Sequence, residues 1–356
     1  MAKKRDLILT SILVAGLFAL AWFINFETDS YTRRIVNLCM VYAIIGLSMN
    51  LTNGFTGQFS LGQAGFMAIG AYVVGIFTVP VALRPAVFYA APMNPYIADI
   101  HMPLWLALIV GGLLAALVAF LIGTPVLRLR GDYLAVATLG FSEIIRIVIT
   151  NAQSITNGAL GIKDIPPLND VRYIFAFTAA IFIFITALVN SSYGRAFKAI
   201  REDEIAAEAM GIDLFKHKCL AFMISAFFAG IGGGLYGALL GTVDPKNFLF
   251  TLTYNFLLII VLGGMGSITG SMLGAVLVTA GLEFLRIFDE PLELFGMAIP
   301  LFRPGFRMVI FSILLMVLVL FWRHGIMGTK EFTWEKAIEF CKNPFSFFRR
   351  KGARKA

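Results

Sequence analysis

The stretch that decides the fold runs from Tyr173 to Leu240. It reads YIFAFTAAIFIFITALVN (Tyr173–Asn190), then SS, then YGRAFKAIREDEIAAEAMGIDLFKHK (Tyr193–Lys218), then CLAFMISAFFAGIGGGLYGALL (Cys219–Leu240). Two apolar walls flank a segment that holds five basic and five acidic residues. Each wall is long enough to cross a hydrocarbon core, which takes about 20 mostly apolar residues in a helix. The middle segment is rich in Ala, Glu, Arg, Lys and Met, which favour helix. Its pattern predicts one surface helix over Arg195–Met210, stopped at Gly211, where the residue past a helix end takes positive φ. Ala196, Ala199, Ile200, Ala206, Ala207 and Met210 recur near helical spacing and form a small-residue stripe on it. A solvated linker is the plain reading. A helix offered to the groove of a partner is the other.

The rest of the chain repeats the pattern of the two walls. Of 356 residues, 59% are hydrophobic and 14% charged, against about 25% charged in soluble domains. An all-α polytopic membrane protein follows. Candidate spans are 7–24, 35–52, 59–80, 104–123, 133–150, 173–190, 220–241, 253–263, 267–285 and 305–322. The segment 253–263 is short by itself, and either extends back to about 247 or belongs to a broken or re-entrant element with GGMGSITG. The count is about ten, with eight or nine as the alternatives. The basic head before 7–24 is followed by no small-residue cleavage site, so that run is read as an uncleaved first span.

Charge assigns the sides. With both termini in the cytoplasm, the inside segments hold 19 Lys/Arg and the outside segments 9, as the positive-inside bias requires. Arg33 and Arg34 are the exceptions. The organisation expected is a transmembrane permease domain over 1–322, with a cytoplasmic loop at 191–219, and a basic cytoplasmic tail over 323–356. The net charge of +8 reflects that tail and no nucleic-acid partner. Outside, the long loops 81–103 and 286–304 are Pro-rich and offer surfaces to an external partner, or merely turn the chain.

Catalytic and metal chemistry find no support. Cys39, Cys219 and Cys341 are far apart, as are the three His residues, so neither a disulfide framework nor a metal site is expected. H-E-x-x-H and G-x-S-x-G are absent, and so is G-x-x-x-x-G-K-[ST]. The chain is read as no enzyme and as needing no cofactor, and any ATP hydrolysis falls to separate subunits. An ion-coupled carrier needs ionisable residues within spans. Glu143 with Arg146 and Glu283 with Arg286 lie at i, i+3, where the partners share a helix face and neutralise each other.

The Gly-rich stretch GLSMNLTNGFTGQFSLGQAGFMAIGAY (Gly46–Tyr72) places Asn50, Gln58, Ser60 and Gln63 among apolar residues. Polar groups at membrane depth are paired or face a wet cavity. These four are the candidates for lining a translocation pathway; bonding between spans is the equal alternative. LGGMGSITGSMLGA (Leu262–Ala275) has a similar glycine cadence in the other half, and Gly and Ser let helices approach closely.

Four segments together carry a family resemblance: NGFTGQFSLGQAGFMAIGAY, LRGDYLAVATLGFSEIIRIVITN (Leu129–Asn151), GRAFKAIREDEIAAEAMGID and GGMGSITG. In that order they resemble the LivM-type permease subunits of branched-chain amino-acid ABC importers, from about Asn37 to Trp322. IAAEAMG (Ile205–Gly211) resembles the E-A-A-x-x-x-G motif of such permeases, with Ile205 in place of the first Glu and Glu204 one residue earlier. The resemblance implies that Glu204, Ala206, Ala207 and Gly211 contact the ATPase subunit, through a coupling helix. It implies transport of Leu, Ile and Val, or of a related solute such as urea, an amide or another amino acid. It also implies partners: a second homologous permease, two ATP-binding cassette subunits and an extracytoplasmic solute-binding protein, assembled in a bacterial inner membrane.

Overall fold

The computed structural model describes residues 16, 18–19, 21–129 and 131–286, then 293–294, 297–298, 309–313, 316, 325–328 and 330–331. Apolar runs become helices wherever they are long, because the helix satisfies every backbone polar group within the segment itself. α1 spans Ser30–Asn50 and ends in a π-turn at Leu51–Phe55. α2 is Gln63–Thr78, α3 Leu104–Val126, α4 Asp132–Asn151 and α5 Val171–Asn190. Two short helices follow, α6 (Ser192–Glu202) and α7 (Glu204–Ala209), then α8 (Leu214–Leu240). α9 (Phe250–Gly263) and α10 (Ile268–Phe284) close the described bundle. The extended structure among the described residues is slight: an antiparallel pair, Glu293–Leu294 with Met297–Ala298, and a bridge between Ile162 and Val243.

Five helices are long and apolar enough to cross a bilayer, and a sixth span arises if Gln63–Thr78 and Val81–Val87, bent by 97°, count as one. The count of ten is therefore loose. α9 and α10 have 14 and 17 residues, or about 21 and 26 Å at 1.5 Å per residue, short of a ~30 Å core. They form a hairpin turned at Gly264–Ser267, in keeping with the broken element expected there. The span expected over 59–80 begins only at Gln63. Thr56–Gly62 is irregular, and of its seven residues only Gly57 and Phe59 are exposed. Non-helical backbone of this kind survives in a membrane only inside protein or against water. Most of the spans expected at 7–24 and 305–322, the loop 286–304 and the tail 323–356 lie outside the described residues.

α8 forms the centre of the bundle, against α1, α2 and α3. Lipid tails are as apolar as leucine, so close packing and not burial from water holds such helices together. A Cβ on Gly233 of α8 would fall on the Met67 carbonyl of α2, and one on Gly70 would lie 2.6 Å from Gly230 Cα. Backbone meets backbone at this crossing.

The helices alternate in direction, which sorts their ends onto two faces. One face gathers the π-turn of α1, the α6–α7 segment and the tip of the α9–α10 hairpin. Gly54, Arg201 and Gly266 meet there. The other gathers residues 79–103, 152–170 and 241–249, stitched by backbone bonds such as Met102 N–H to Phe77 O and Ile165 N–H to Gly241 O. On that face Arg84, 3% exposed, donates to the carbonyls of Val79, Ile97, Ala98 and Ile100 at 2.5–3.2 Å. One guanidinium thus organises the 80–103 loop. Arg84→Met is expected to cost about 2–4 kcal/mol, since bonds to charged groups are the strong ones. Faster proteolysis within 88–100 in the intact protein is the readout.

Candidate functional site

The charged segment does not form one helix. It breaks at Asp203, whose backbone is extended at φ −159°, ψ 115°, and the continuous helix expected over Arg195–Met210 is corrected to α6 plus α7. The cause lies in the side chain. Asp203 accepts bonds from the backbone N–H groups of Ile205 at 2.8 Å and Ala206 at 3.0 Å. An aspartate gains more as an N-cap than within a helix. Ser191 caps α6 and Asp213 caps α8 in the same manner.

The apolar face of α6 consists of Gly194, Phe197 and Ile200, all buried, and it anchors the segment to the bundle. The alanine stripe is only partly exposed. Ala206 faces solvent, but Ala207 is 3% exposed and packs within the chain. Gly211 ends α7 at φ +82°, as expected, with its N–H on Glu208 O. Glu204 pairs with Lys218 of α8 at 2.6 Å, which ties α7 back to the long helix. Ile205 and Met210 are left outward, 74% and 83% exposed. The result is a rigid, twice-capped stub presenting two large apolar side chains among charges.

The four polar candidates near α1 and α2 divide unequally. Asn50 is spent on the hairpin tip. Its Oδ1 accepts from Gly266 N–H at 2.9 Å, and its Nδ2 donates to Ser267 O at 2.8 Å and Ser271 Oγ at 2.7 Å. Gln63 donates to Ser48 Oγ, which donates to Ser225 O at 2.6 Å, while Ser225 Oγ returns a bond to Ser48 O at 2.8 Å. That joint ties α1, α2 and α8. Ser60 exchanges two backbone bonds with the Asn53 side chain, each at 3.2 Å, closing the irregular loop. Gln58 differs: it is 2% exposed and neither amide atom has a partner. Ser48 and Ser225 were missed as joints, although a polar residue inside an apolar run was the available signal. Arg201 was missed because nothing in a charged run marks one arginine as reaching back into the bundle.

The carboxylates within spans are paired. Glu143 binds Arg146 at 2.7 Å and also accepts from Phe250 N–H at 3.3 Å, and Glu283 accepts from Tyr31 Oη at 2.8 Å. Cys39 and Cys219 are buried and free. The described residues contain no grouping of His, Cys, Asp and Glu able to hold a metal.

The sequence has known relatives. Residues 31–319 match the model of the family described as branched-chain amino acid transport system / permease component. The chain is 37% identical over 321 residues to the high-affinity branched-chain amino acid transport system permease protein LivM of Escherichia coli, covering 81% of this chain and 70% of that one. It is 26% identical to the permease protein LivH of the corresponding system of Salmonella typhimurium, over 68% of this chain and 81% of that one. It is 25% identical to the guanosine ABC transporter permease protein NupQ of Bacillus subtilis, over 86% and 96%. No solved structure matches. With the match spanning most of its length and its helices apolar enough to cross a bilayer, the chain is an integral membrane protein and belongs to the family of branched-chain amino acid transport permeases.

Proposed function

We propose that this chain is the membrane-spanning subunit of an ATP-driven importer, and that it carries leucine, isoleucine and valine across a cytoplasmic membrane. The observation that carries the ATP-driven reading is the α6–α7 stub. It is capped at Ser191 and Asp203, and presents Ile205 and Met210 outward. A short rigid helix with exposed apolar side chains suits a groove on a partner. The partner proposed is a pair of ATP-binding subunits, contacted through Glu204, Ala206 and Gly211, with Ile205 and Met210 beside them. Ala207, being buried, would set the shape of the stub and not touch the partner. The Lys/Arg bias supports placing that face in the cytoplasm, with both termini, and the 80–103 face outside toward a solute-binding protein. Likeness to LivM supports the substrate class, and likeness to LivH supports a second, homologous permease as the other half of the pathway. A binding protein would hand over the amino acid, and motion of the stub would change the side to which the translocation pathway opens.

Asn50, Ser60, Gln63 and Gln58 are proposed to border that pathway, and Gln58 alone keeps a free amide to offer a passing solute. The paired state of Glu143 and Glu283 speaks against ion coupling, since a proton or sodium relay needs a carboxylate free to change partners. The test is uptake of radiolabelled leucine by membrane vesicles holding the whole complex, with and without internal ATP. ATP-dependent uptake, competed by isoleucine and valine but not by guanosine, is expected. Uptake competed by guanosine alone would move the substrate to a nucleoside. Uptake that needs no ATPase subunit would overturn the ATP-driven reading.

A further inference from the structure

α6 holds the bundle by more than its apolar face. Arg201, on its last turn, reaches the end of α1, where its Nη1 donates to Gly54 O in the π-turn at 3.1 Å. Its Nε and Nη2 are held by the neighbouring Glu202 carboxylate. Lys198, one turn earlier, lies 5.9 Å from the centroid of the Phe55 ring in the same π-turn.

Two glycines make room for this side chain, and a third lets the hairpin tip close on α1 beside it. A Cβ on Gly57 would stand 3.0 Å from Arg201 Cγ and 3.2 Å from its Cα, and one on Gly266 would stand 2.8 Å from Nη1. A Cβ on Gly54 would press against Asn50 and against Gly266 N–H. Gly266 belongs to the tip of the α9–α10 hairpin, where Asn50 grips it from the α1 side. The far side of the tip is held as well. Ile326 and Met327 N–H cap the carbonyls of Leu262 and Gly263, and Glu331 accepts from Ile268 N–H at 2.6 Å and Thr269 N–H at 3.2 Å.

We propose that Arg201 is a positioning residue for transport: it makes the α6–α7 stub, the end of α1 and the tip of the α9–α10 hairpin move as one body. The proposal rests on the ATP-driven reading and says where the motion of the stub goes. Gly54, Gly57 and Gly266 bring no side chains to the contact with Arg201, so the guanidinium carries the link to the π-turn there. A planar guanidinium, fixed on one edge by Glu202 and bonded to Gly54 on the other, is a stiff connector that a flexible ammonium does not match. The π-turn it grips is an irregular element of the kind that often marks functional sites.

The test is the number of leucine molecules imported per ATP hydrolysed, measured in proteoliposomes holding the complete complex. Arg201→Ala is expected to lower that ratio about tenfold, a typical coupling between sites, while ATP hydrolysis stays within about twofold. If Arg201→Ala fails to assemble, Arg201→Lys keeps the charge and stem, and its ratio is expected to fall about threefold. An unchanged ratio in an assembled variant overturns the proposal. So does a parallel fall in uptake and hydrolysis, which marks a merely structural role. The control separates this from the reading beneath it. If wild-type uptake itself needs no ATP, the ATP-driven reading is what fails; if wild-type uptake is ATP-driven and the Arg201 ratio does not move, the relay alone fails.

Discussion

Gly233→Ala is expected to abolish the folded bundle, although alanine favours helix over glycine by about 1 kcal/mol. The added methyl would fall on the Met67 carbonyl, 2.6 Å from its carbon and 2.8 Å from Met67 Cα. The obstacle is backbone on a neighbouring helix, so no rotamer change relieves it. α2 and α8 would have to separate, and the nearby approach of Gly70 to Gly230 would open with them. Overpacking a tight core costs about 1–3 kcal/mol and more where the backbone must move, and this crossing is the centre of the molecule. A control lies in α4. A Cβ on Gly140 meets nothing within 4 Å, so Gly140→Ala is expected to leave stability unchanged or raised by up to about 1 kcal/mol. Yield of monodisperse protein in detergent checks both. Equal yields for the two variants would show that the α2–α8 crossing is looser than described.

Asn50→Leu carries the second large effect. Leucine has nearly the shape of asparagine, so volume is kept and only the bonds are removed. Three go at once, and Gly266 N–H is left buried without its acceptor. Ser267 O keeps the bond from Ser271 Oγ at 3.1 Å, which limits the loss. The orphaned Gly266 N–H costs about 1–3 kcal/mol and each of the two other lost bonds about 1 kcal/mol more, for a total of about 3–5 kcal/mol. Thermal unfolding in detergent should show a clearly lower midpoint. Asn50→Asp keeps the acceptor for Gly266 but loses both donor bonds and buries a charge, so it is not expected to rescue. A midpoint unchanged in Asn50→Leu would mean that the hairpin tip is held from the Glu331 side alone.

Both predictions rest on contacts that the sequence indicates only as composition. The apolar runs and the charged insert were legible, because length and hydropathy fix which segments span and which stay outside. That 253–263 is too short to span by itself was legible for the same reason; that it pairs with 268–284 as a hairpin was one of two readings left open. Which face of each run packs was not. Gly233 and Gly140 are both glycines in apolar helices, and only the neighbour across the interface separates them. The break at Asp203 was missed because helix propensity summed over Arg195–Met210 outweighs a single capping residue until Asp203 is seen bonding Ile205 and Ala206. Ala207 was taken for part of an exposed stripe for the same reason: periodicity names a face, not its occupant. The polar residues of Gly46–Tyr72 were marked as needing partners, and the structure buries them. Their division into joints (Asn50, Ser60, Gln63) and a free amide (Gln58) depends on partners far away in sequence, such as Ser225 and Ser267.

The central claim is that the α6–α7 stub receives the work of ATP hydrolysis from a separate subunit. The buried Ala207 is a poor site for a probe, and the exposed Ala206 is the right one. A cysteine at Ala206, in a background with Cys39, Cys219 and Cys341 replaced, would be tested for crosslinking to the ATP-binding subunits of the assembled complex. A crosslink whose yield changes when ATP is added is the predicted result. No crosslink in assembled, ATP-hydrolysing complexes, with Ala206→Cys shown to be reachable by thiol reagents from the cytoplasm, would contradict the account.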